Sequence, residues 1–301
     1  MNFAVFGSMN IDKVYSLSHL PETGETLTCT EYSLHVGGKG LNQSVSLKKA
    51  GADVFMSGCT GSDGGFLLDF LNKNGVDTHL CLMTDGFSGH AVIEVDPDGQ
   101  NQMILFAGAN REITEGYCDS VLSELETGDL VLMQYETSCV EYMAKAAHEK
   151  GVKTAFNPSP FVEELKSFDY SVIDYLVLNE SEGQSITGIA DSEETARALA
   201  KRVAKGGAVI LTLGADGAVF ADENNFIRVP AFKVCAVDTT GAGDTFTGYS
   251  LFALMNGETP EAALTKAAAA SALAVMKTGA AETIPEKEAV EEFLRKQNKT
   301  E

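Results

Sequence analysis

From about residue 54 onward, short apolar runs of strand length alternate with segments whose apolar residues repeat at helical spacing. Strands that are each followed by a helix are typical of a parallel sheet with helices on both faces. The sequence therefore predicts an α/β fold with a doubly wound, mostly parallel sheet flanked by helices. Strands are predicted within 54–61, 130–134, 153–159, 175–179 and 208–214. Three helices are predicted between them: one over 66–75, one that follows 130–134 and ends near Gly151, and one over 192–205.

Two regions depart from this alternation. Residues 14–36 contain short alternating strand patterns without a helix, and residues 90–106 have the pattern of a hairpin that turns at Pro97-Asp98-Gly99. We expect these extra strands to form a small β-sheet lid on the main sheet. No repeat or low-complexity linker interrupts the chain, so residues 1–301 are predicted to form one domain.

The charge of the chain is strongly one-sided, with 43 acidic against 22 basic residues and a net charge of −21. Nucleic acids and anionic membranes bind basic surfaces, so neither is an expected partner. The hydrophobic content of 44% is enough for a sizeable core. Because the chain has no basic leader and no run of about 18 apolar residues, we expect a cytoplasmic protein without a membrane span.

The six cysteines are scattered along the chain and include no Cys-x-x-Cys pair. In a chain of this length they are expected to be buried small hydrophobic residues in a reducing compartment. A disulfide framework or a zinc site is not predicted. The cysteines stand at positions 29, 59, 81, 118, 139 and 235.

The stretch VDTTGAGDTFTG (237–248) combines small residues with a carboxylate. The run FKVCAVD before Thr239 is strand-like, and apolar residues recur after Asp244 at helical spacing, so a helix is expected to begin near Asp244. The unpaired N–H groups of a helix N-terminus bind anions, and small residues allow a phosphoryl group to approach them. Asp244 is then suited to act as a general base for a substrate hydroxyl. The alternative is a glycine-rich turn followed by an acid that only suits the helix dipole.

Polar or small residues also follow other predicted strands. Ligands of open α/β sheets bind at the carboxyl ends of the strands, so these groups are expected to converge on one site. Each of them alone is equally well an ordinary loop residue. These groups lie at 10–12, where the first strand is expected to end, and at 136, 179–182, 212–217 and 238–244.

The stretch HVGGKGLNQ (35–43) places glycines around Lys39, ahead of a helical pattern that opens at Asn42. Such glycines permit close backbone approach to a ligand, although a tight turn with an exposed lysine has the same pattern. Lys39 is followed by glycine and not by Ser or Thr, so the stretch is not a Walker A loop. The 241–244 spacing is not G-x-G-x-x-G, which excludes a nicotinamide-binding fingerprint.

The motifs GSMNID, GGKGLNQ, CTGSDG, FAGAN, MQYE, FNPSP, LNESE, TLGADG and VDTTGAGDTFTG occur in this order along the chain. Through this ordered series of motifs, the chain resembles the PfkB/ribokinase family of sugar kinases over essentially its whole length. The last motif is the most specific to the family. The resemblance implies a ribokinase-like fold and transfer of the ATP γ-phosphate to a sugar hydroxyl. D-ribose is the expected sugar, with ribose 5-phosphate as the product.

The resemblance also implies roles for individual residues. Asp244 would be the base, and the N–H groups of Gly241, Ala242, Gly243 and Asp244 would form the anion hole. The sugar would contact Asn10, Asp12, Gly38, Lys39, Gly40, Asn42, Glu136 and Asp244. ATP would contact Asn179, Thr212, Gly214, Gly217 and Gly243. Glu182 would help to organise Mg²⁺ through water, and K⁺ would bind at Asp238, Thr240, Ala274, Lys277, Gly279 and Thr283.

The resemblance leaves several points open. Position 268, where the family can have a histidine near the adenine, is alanine in this chain. Members of the family usually form a homodimer through the lid, and the same is expected here. The substrate could instead be fructose, ketodeoxygluconate, deoxyribose or a nucleoside; a phosphorylated sugar is less expected, since only Lys39 is basic near the sugar residues. A non-catalytic sugar sensor is the alternative from another functional class.

Overall fold

The structure is a computed structural model and describes residues 1–297; positions 298–301 of the predicted domain lie outside the described residues. Fourteen strands are present in the described part of the chain. In chain order they are β1 (Phe3–Phe6), β2 (Asn10–Ser16), β3 (Glu31–Gly37), β4 (Val54–Ser57), β5 (Cys59–Thr60), β6 (Leu82–Met83), β7 (Gly89–Val95), β8 (Asn101–Phe106), β9 (Leu130–Gln134), β10 (Lys153–Asn157), β11 (Tyr175–Asn179), β12 (Ala208–Thr212), β13 (Ala218–Ala221) and β14 (Phe226–Val229).

Nine α-helices accompany these strands between residues 1 and 297. Several end as their sequence predicts, with Gly51 and Gly151 closing the first and fourth helices in the left-handed conformation. The helices are α1 (Lys39–Ala50), α2 (Gly65–Lys73), α3 (Glu115–Ser123), α4 (Val140–Lys150), α5 (Glu180–Thr187), α6 (Ser192–Ala200), α7 (Ala242–Met255), α8 (Pro260–Ala274) and α9 (Lys287–Gln297).

The main sheet has eight strands in the order β14-β13-β12-β11-β10-β9-β1-β4. Strands β4, β1, β9, β10, β11 and β12 are parallel, whereas β13 and β14 run antiparallel at one edge. The predicted fold class is therefore confirmed, and all five predicted strand segments contribute to this sheet. The antiparallel edge was not predicted.

Helices cover both faces of the main sheet. Alternate residues of β1 point to opposite faces: Phe3 and Val5 belong to one hydrophobic cluster, and Ala4 and Phe6 to the other. The first cluster includes buried residues of α1, α7 and α8, and the second includes buried residues of α3, α4 and α6. This arrangement leaves the carboxyl edge of the parallel strands open for a site.

The second sheet has four strands in the order β3-β2-β7-β8, and we call it the small sheet. Residues 90–106 form its β7–β8 hairpin, as predicted. The other predicted segment, 14–36, is only partly strand, because residues 17–30 lie between β2 and β3. Asn10 was expected at the end of the first strand, which is wrong. It lies on β2, where its backbone pairs with Gly37 and Gly89 of the small sheet.

Other boundaries also differ from the sequence predictions. The strand-like run FKVCAVD is not a strand, because β14 ends at Val229 and is followed by Pro230, which has no N–H for a ladder. The helix predicted over 192–205 ends at Ala200, and α1 begins at Lys39, before Asn42. Helix α5 was not predicted.

The cysteines and the membrane prediction can be compared with the structure directly. All six cysteines are free; Cys59 and Cys118 are buried, but Cys29 and Cys235 are exposed, so the expectation of six buried cysteines is wrong. Both exposed cysteines lie outside the strands and helices, where little packs against them. No helix within residues 1–297 has the length and apolar character needed to cross a bilayer.

The contact between α1 and α7 depends on Gly248. A Cβ atom at this position would lie 2.2 Å from Ser46 Oγ and 2.4 Å from Ser46 Cβ. We expect Gly248→Ala to lower the free energy of unfolding by about 1–3 kcal/mol, the usual cost of overpacking a core. Urea denaturation measures this change.

Gly116→Ala is the matched control. A Cβ atom at Gly116, in α3, meets no atom within 4 Å. Alanine is the better helix former, so this variant should keep its stability or gain up to about 1 kcal/mol. Equal effects of the two substitutions would contradict the close packing of α1 on α7.

Candidate active site

Asp244 lies in the first turn of α7 and is buried, with 8% of its surface exposed. Both of its carboxylate oxygens accept hydrogen bonds from α1. Asn42 Nδ2 donates to Oδ2 at 2.9 Å, and Gln43 Nε2 donates to Oδ1 at 2.8 Å. A buried carboxylate needs such donors because it has lost its water. The carboxylate is thus held in one orientation at the carboxyl edge of the main sheet.

The N-terminus of α7 offers unpaired N–H groups beside this carboxylate. The N–H groups of Gly243 and Asp244 donate to no other residue within 1–297, whereas the N–H of Ala242 donates to the carbonyl of Thr239 at 3.2 Å. A Cβ atom at Gly243 would meet nothing within 4 Å. The space in front of this glycine is therefore open to a ligand, and an anion there would face two free donors and the positive end of the helix dipole.

Besides Asp244, the residues predicted to contact the sugar come from three segments. Asn10 and Asp12 lie on β2; Gly38 is the N-cap of α1, which continues with Lys39, Gly40 and Asn42; and Glu136 follows β9. The backbone N–H of Lys39 donates to Glu136 Oε2 at 3.1 Å, and the hydroxyl of Ser8 donates to the same oxygen. Of the predicted sugar residues, only Asn10 and Glu136 line the cavity of about 230 Å³ found in this region; its other lining residues include Phe106, Asn110, Arg111 and Tyr135.

Two glycines in this region are needed for close approach. A Cβ atom at Gly37 would lie 2.4 Å from both carboxylate oxygens of Asp12. One at Gly40 would lie 2.6 Å from the backbone nitrogen of Ser8. These contacts explain the small residues around the start of α1, where the helix begins directly on the turn between β1 and β2.

Two charged groups of the sugar region have altered pKa values. Burial, together with the nearby carboxylates of Glu136 and Glu282, raises the pKa of Asp12 to about 7. Burial of Lys39 disfavours its charge, but the carboxylates of Asp244, Glu136 and Glu182 outweigh this effect and raise the pKa of Lys39 above its usual value. Lys39 therefore stays charged among these acids.

A larger cavity of about 450 Å³ lies on the other side of the α7 N-terminus. Thr212 lines it from the end of β12, Gly214 and Gly217 line it from the loop after that strand, and Gly243 lines it from α7; all four are residues expected to contact ATP. Ala268 also lines it, with other small side chains of α8. A mainly apolar cavity with a few polar groups is typical of a site for a flat organic ligand.

The predicted nucleotide and magnesium residues Asn179 and Glu182 do not line this cavity. They form a capping box at the start of α5: Asn179 Oδ1 accepts from the N–H of Glu182, and Glu182 Oε2 accepts from the N–H of Asn179. Asn179 pairs with Thr212 in the main sheet, which brings the box next to the cavity. Glu182 Oε1 accepts no hydrogen bond from any described residue. Residues 1–297 contain no cluster of three or more His, Cys, Asp or Glu side chains suited to a metal ion.

The residues predicted to bind a monovalent cation lie in two segments that contact each other. Asp238 joins the segments, because its carboxylate accepts from the N–H and hydroxyl of Thr240 and from the N–H of Gly279. Burial opposes the charge of Asp238, but these hydrogen bonds lower its pKa. The second segment has internal bonds, from Lys277 N–H to the Ala274 carbonyl and from the Thr283 hydroxyl to the Gly279 carbonyl. It also packs against the N-cap of α7, since a Cβ atom at Gly241 would lie 3.1 Å from Ala280.

Several site residues had no predicted role. Gln43, Gln134 and Asn157 form a buried hydrogen-bond network behind Asp244. Asn110 donates to Asn10 Oδ1 at 2.8 Å. Gln134 and Asn157 are polar residues at the ends of apolar strands, the signal that identified Glu136, so it could have found them. Gln43 lies inside a helix, where the sequence carries no such signal.

Comparison with known proteins bears on this site. The sequence profile described as pfkB family carbohydrate kinase matches residues 2–287. A ribokinase of Haemophilus influenzae is 36% identical over 298 residues, covering 96% of this chain and 97% of the relative. A deoxyribokinase of Salmonella typhi is 30% identical over 303 residues, covering 98% and 99%. The structure of an Arabidopsis thaliana ribokinase complexed with ribose and ATP has a TM-score of 0.86 and 29% identity, covering 98% of each chain.

The family match extends over nearly all of the chain and includes both cavities and the α7 N-terminus between them. The relatives are covered almost to their full length, so no large part of a relative lacks a counterpart here. The chain belongs to the pfkB family of carbohydrate kinases, phosphotransferases that act on a sugar hydroxyl.

Proposed function

We propose that the protein transfers the γ-phosphate of ATP to D-ribose and forms ribose 5-phosphate, with Asp244 as the general base. The observation that carries this proposal is the position of Asp244. Its neighbour Gly243 lines the larger cavity, and its hydrogen-bond partner Asn42 belongs to the helix whose first residue contacts Glu136 of the smaller cavity. Relatives named ribokinase, one of them solved with ribose and ATP, support the choice of sugar.

In this mechanism the sugar lies in the smaller cavity and is oriented by amides and carboxylates. Asn10 donates to or accepts from its hydroxyls, Glu136 and the nearby Asp12 accept from them, and Lys39 offsets the charge of Glu136. The hydroxyl that reacts points to Asp244, which removes its proton while the oxygen attacks the γ-phosphorus. The leaving group is ADP. Holding the sugar hydroxyl and the γ-phosphate of ATP in line accounts for much of the rate acceleration of such a transfer.

The charge that develops on the transferred phosphoryl group is stabilised by the α7 N-terminus. The N–H groups of Gly241, Gly243 and Asp244 are the donors, because that of Ala242 is engaged with Thr239. ATP occupies the larger cavity against Thr212, Gly214 and Gly217. The small side chain of Ala268 leaves adenine recognition to shape and apolar contact.

Two cations fit residues of this chain. Mg²⁺ supplies charge neutralisation for the phosphates, and Glu182, with one oxygen outside its capping box, would hold its water ligands. K⁺ would be held by Asp238 and by backbone oxygens of Thr240, Ala274, Lys277, Gly279 and Thr283. Because the second of these segments packs on Gly241, an ordered cation site also orders the anion hole.

Other sugars remain alternatives. Arg111 lines the smaller cavity, so Lys39 is not the only basic residue near the expected sugar contacts, and the small number of basic residues no longer argues against a phosphorylated sugar. Fructose, ketodeoxygluconate, deoxyribose and nucleosides are the other candidates. A non-catalytic sensor is less well supported, since the free N–H groups at Gly243 and Asp244 suit a transferring phosphoryl group and would have no use in sugar binding alone.

We also propose that residues 1–301 form one domain and that two copies pair through the small sheet. Its edge strands β3 and β8 expose a row of large apolar side chains, which is unusual for a monomer. These are Tyr32, Leu34, Met103, Ile104, Leu105 and Phe106. The six free cysteines support a reducing, cytoplasmic location.

The proposed reaction is tested by ADP release with Mg²⁺-ATP across ribose, deoxyribose, fructose, fructose phosphates, ketodeoxygluconate and nucleosides. We expect ribose to have the highest kcat/KM and K⁺ to raise turnover, because the cation site orders the anion hole. Faster turnover of another sugar would replace the substrate and keep the mechanism. Sugar binding without any turnover would favour the sensor.

Asp244→Asn tests the role of Asp244 as the general base in the same assay. The amide keeps the size of the side chain but cannot accept the hydroxyl proton, so kcat should fall by about 100-fold or more. The thermal midpoint of the variant checks that it folds. A kcat within about tenfold of the parent would remove Asp244 from the role of base.

The pKa of Asp12 predicts a pH dependence of sugar use. An ionised carboxylate accepts hydrogen bonds from sugar hydroxyls more strongly than a neutral one, so kcat/KM for the sugar should fall as the pH drops below about 7. Asp12→Asn should lower kcat/KM and remove this dependence. Asp98→Asn, at the exposed hairpin turn, is the control and should leave the profile unchanged. If kcat/KM of Asp12→Asn still falls below about pH 7, the pH dependence belongs to another group.

The pairing through the small sheet is tested by the mass in solution. The parent should have twice the monomer mass of 32.0 kDa, and Ile104→Asp, which places a charge at a 68% exposed apolar position, should shift it to the monomer. Met276→Asp, at an exposed residue outside the small sheet, should not. A parent that is monomeric at micromolar concentration would contradict the proposal.

A further inference from the structure

The side chain of Gln43 is polar, completely buried and fully hydrogen-bonded. Its Nε2 donates to Asp244 Oδ1 at 2.8 Å and to Asn157 Oδ1 at 3.1 Å. Its Oε1 accepts from Gln134 Nε2 at 2.7 Å. In the low dielectric of a protein interior, leaving any of these groups unpaired would be costly, so the Gln43 amide is firmly held.

Groups that can only accept determine which end of the Gln43 amide faces Asp244. The backbone carbonyl of Val177 accepts from Asn157 Nδ2 at 2.9 Å, which turns the oxygen of Asn157 toward Gln43. The ionised carboxylate of Asp244 also accepts only. Gln43 must therefore direct its nitrogen to both and its oxygen to Gln134. The orientation is passed from the backbone of β11 to the carboxylate of Asp244.

Gln43 does not belong to either ligand site. It lines neither the smaller nor the larger cavity, whereas its neighbour Asn42 is among the expected sugar contacts. With Asn42 bonded to Oδ2 and Gln43 bonded to Oδ1, both ends of the carboxylate are held. Each oxygen keeps a second lone pair, so one can still accept the proton of the reacting hydroxyl.

We propose that Gln43 is a positioning residue for the phosphoryl transfer: it holds the Asp244 carboxylate in the orientation that accepts the hydroxyl proton, and it is itself oriented by Asn157 and Gln134. The proposal rests on the role of Asp244 as the base. Loss of the Gln43 amide lets the carboxylate rotate away from the reacting hydroxyl. Since no sugar contact is removed, kcat falls and the sugar KM stays nearly the same.

Gln43→Leu removes the amide and keeps the approximate size of the side chain. We expect kcat to fall by about 10-fold to 100-fold, the range for a misplaced catalytic group, with the sugar KM within about threefold. Ser46→Ala is the control, because the Ser46 hydroxyl also joins α1 to α7, by a 2.8 Å hydrogen bond to the Thr245 carbonyl, and forms no hydrogen bond to the Asp244 carboxylate. It should lower stability and leave kcat near the parent value.

Gln43→Glu supplies a readout that a purely structural role would not change. The introduced carboxyl group can donate to Asp244 when it is protonated, as the amide does, but it repels Asp244 when it is ionised. The ratio of parent kcat to variant kcat should therefore increase with pH. A constant ratio across the pH range, with the same loss in Gln43→Leu and Ser46→Ala, would reduce Gln43 to a packing residue and overturn the proposal.

Gln134→Leu keeps the proposal testable if the Gln43 variants do not fold. It removes the donor to Gln43 Oε1 and touches neither Gln43 Nε2 nor Asp244, so a smaller fall in kcat is expected. Asp244→Asn separates the two proposals. If it keeps the parent rate, the role of the base fails and this proposal fails with it. If it loses activity while the Gln43 and Gln134 variants keep parent kcat, only the positioning role is overturned.

Discussion

A carboxylate removed from water must be surrounded by hydrogen-bond donors, and the burial of Asp244 imposes this requirement on the centre of the molecule. The donors come from α1, so α1 and α7 must lie close together, which the absence of a side chain at Gly248 allows. The position of α1 depends in turn on Gly40, which lets the helix start against the backbone of Ser8. The site and the packing of the core are therefore parts of one arrangement.

The two cavities differ in character, as the proposed binding of two different ligands requires. The smaller cavity has charged and amide groups that suit a hydroxylated ligand, including Asn10, Arg111 and Glu136. The larger one is lined mostly by small and apolar residues, with polar groups near the α7 N-terminus. A charge placed between them meets free N–H groups that are fixed by the helix and need no rearrangement during the reaction.

The parts of the fold and site that were predictable are those with a local signal. The alternation of strands and helices identified the main sheet, and the glycines before Asp244 identified the α7 N-terminus. The network behind Asp244 was not predictable, because Gln43 and Gln134 lie 91 positions apart and meet only in the folded chain. Asn179 and Glu182 show the opposite problem: their spacing has a local explanation, the capping box, that is sufficient without any ligand.

The expected sugar contacts are divided between the two sheets. Asn10 and Asp12 belong to the small sheet, whereas Lys39, Asn42 and Asp244 belong to helices packed on the main one. A sugar that contacts both sets of residues links the two sheets. Part of its binding free energy is then used to hold the sheets in a fixed relative position. In the proposed binding mode, contacts far from the reacting hydroxyl contribute to turnover as well as to affinity, and a sugar that lacks a hydroxyl opposite Asp12 should be a slower substrate and not merely a weaker one.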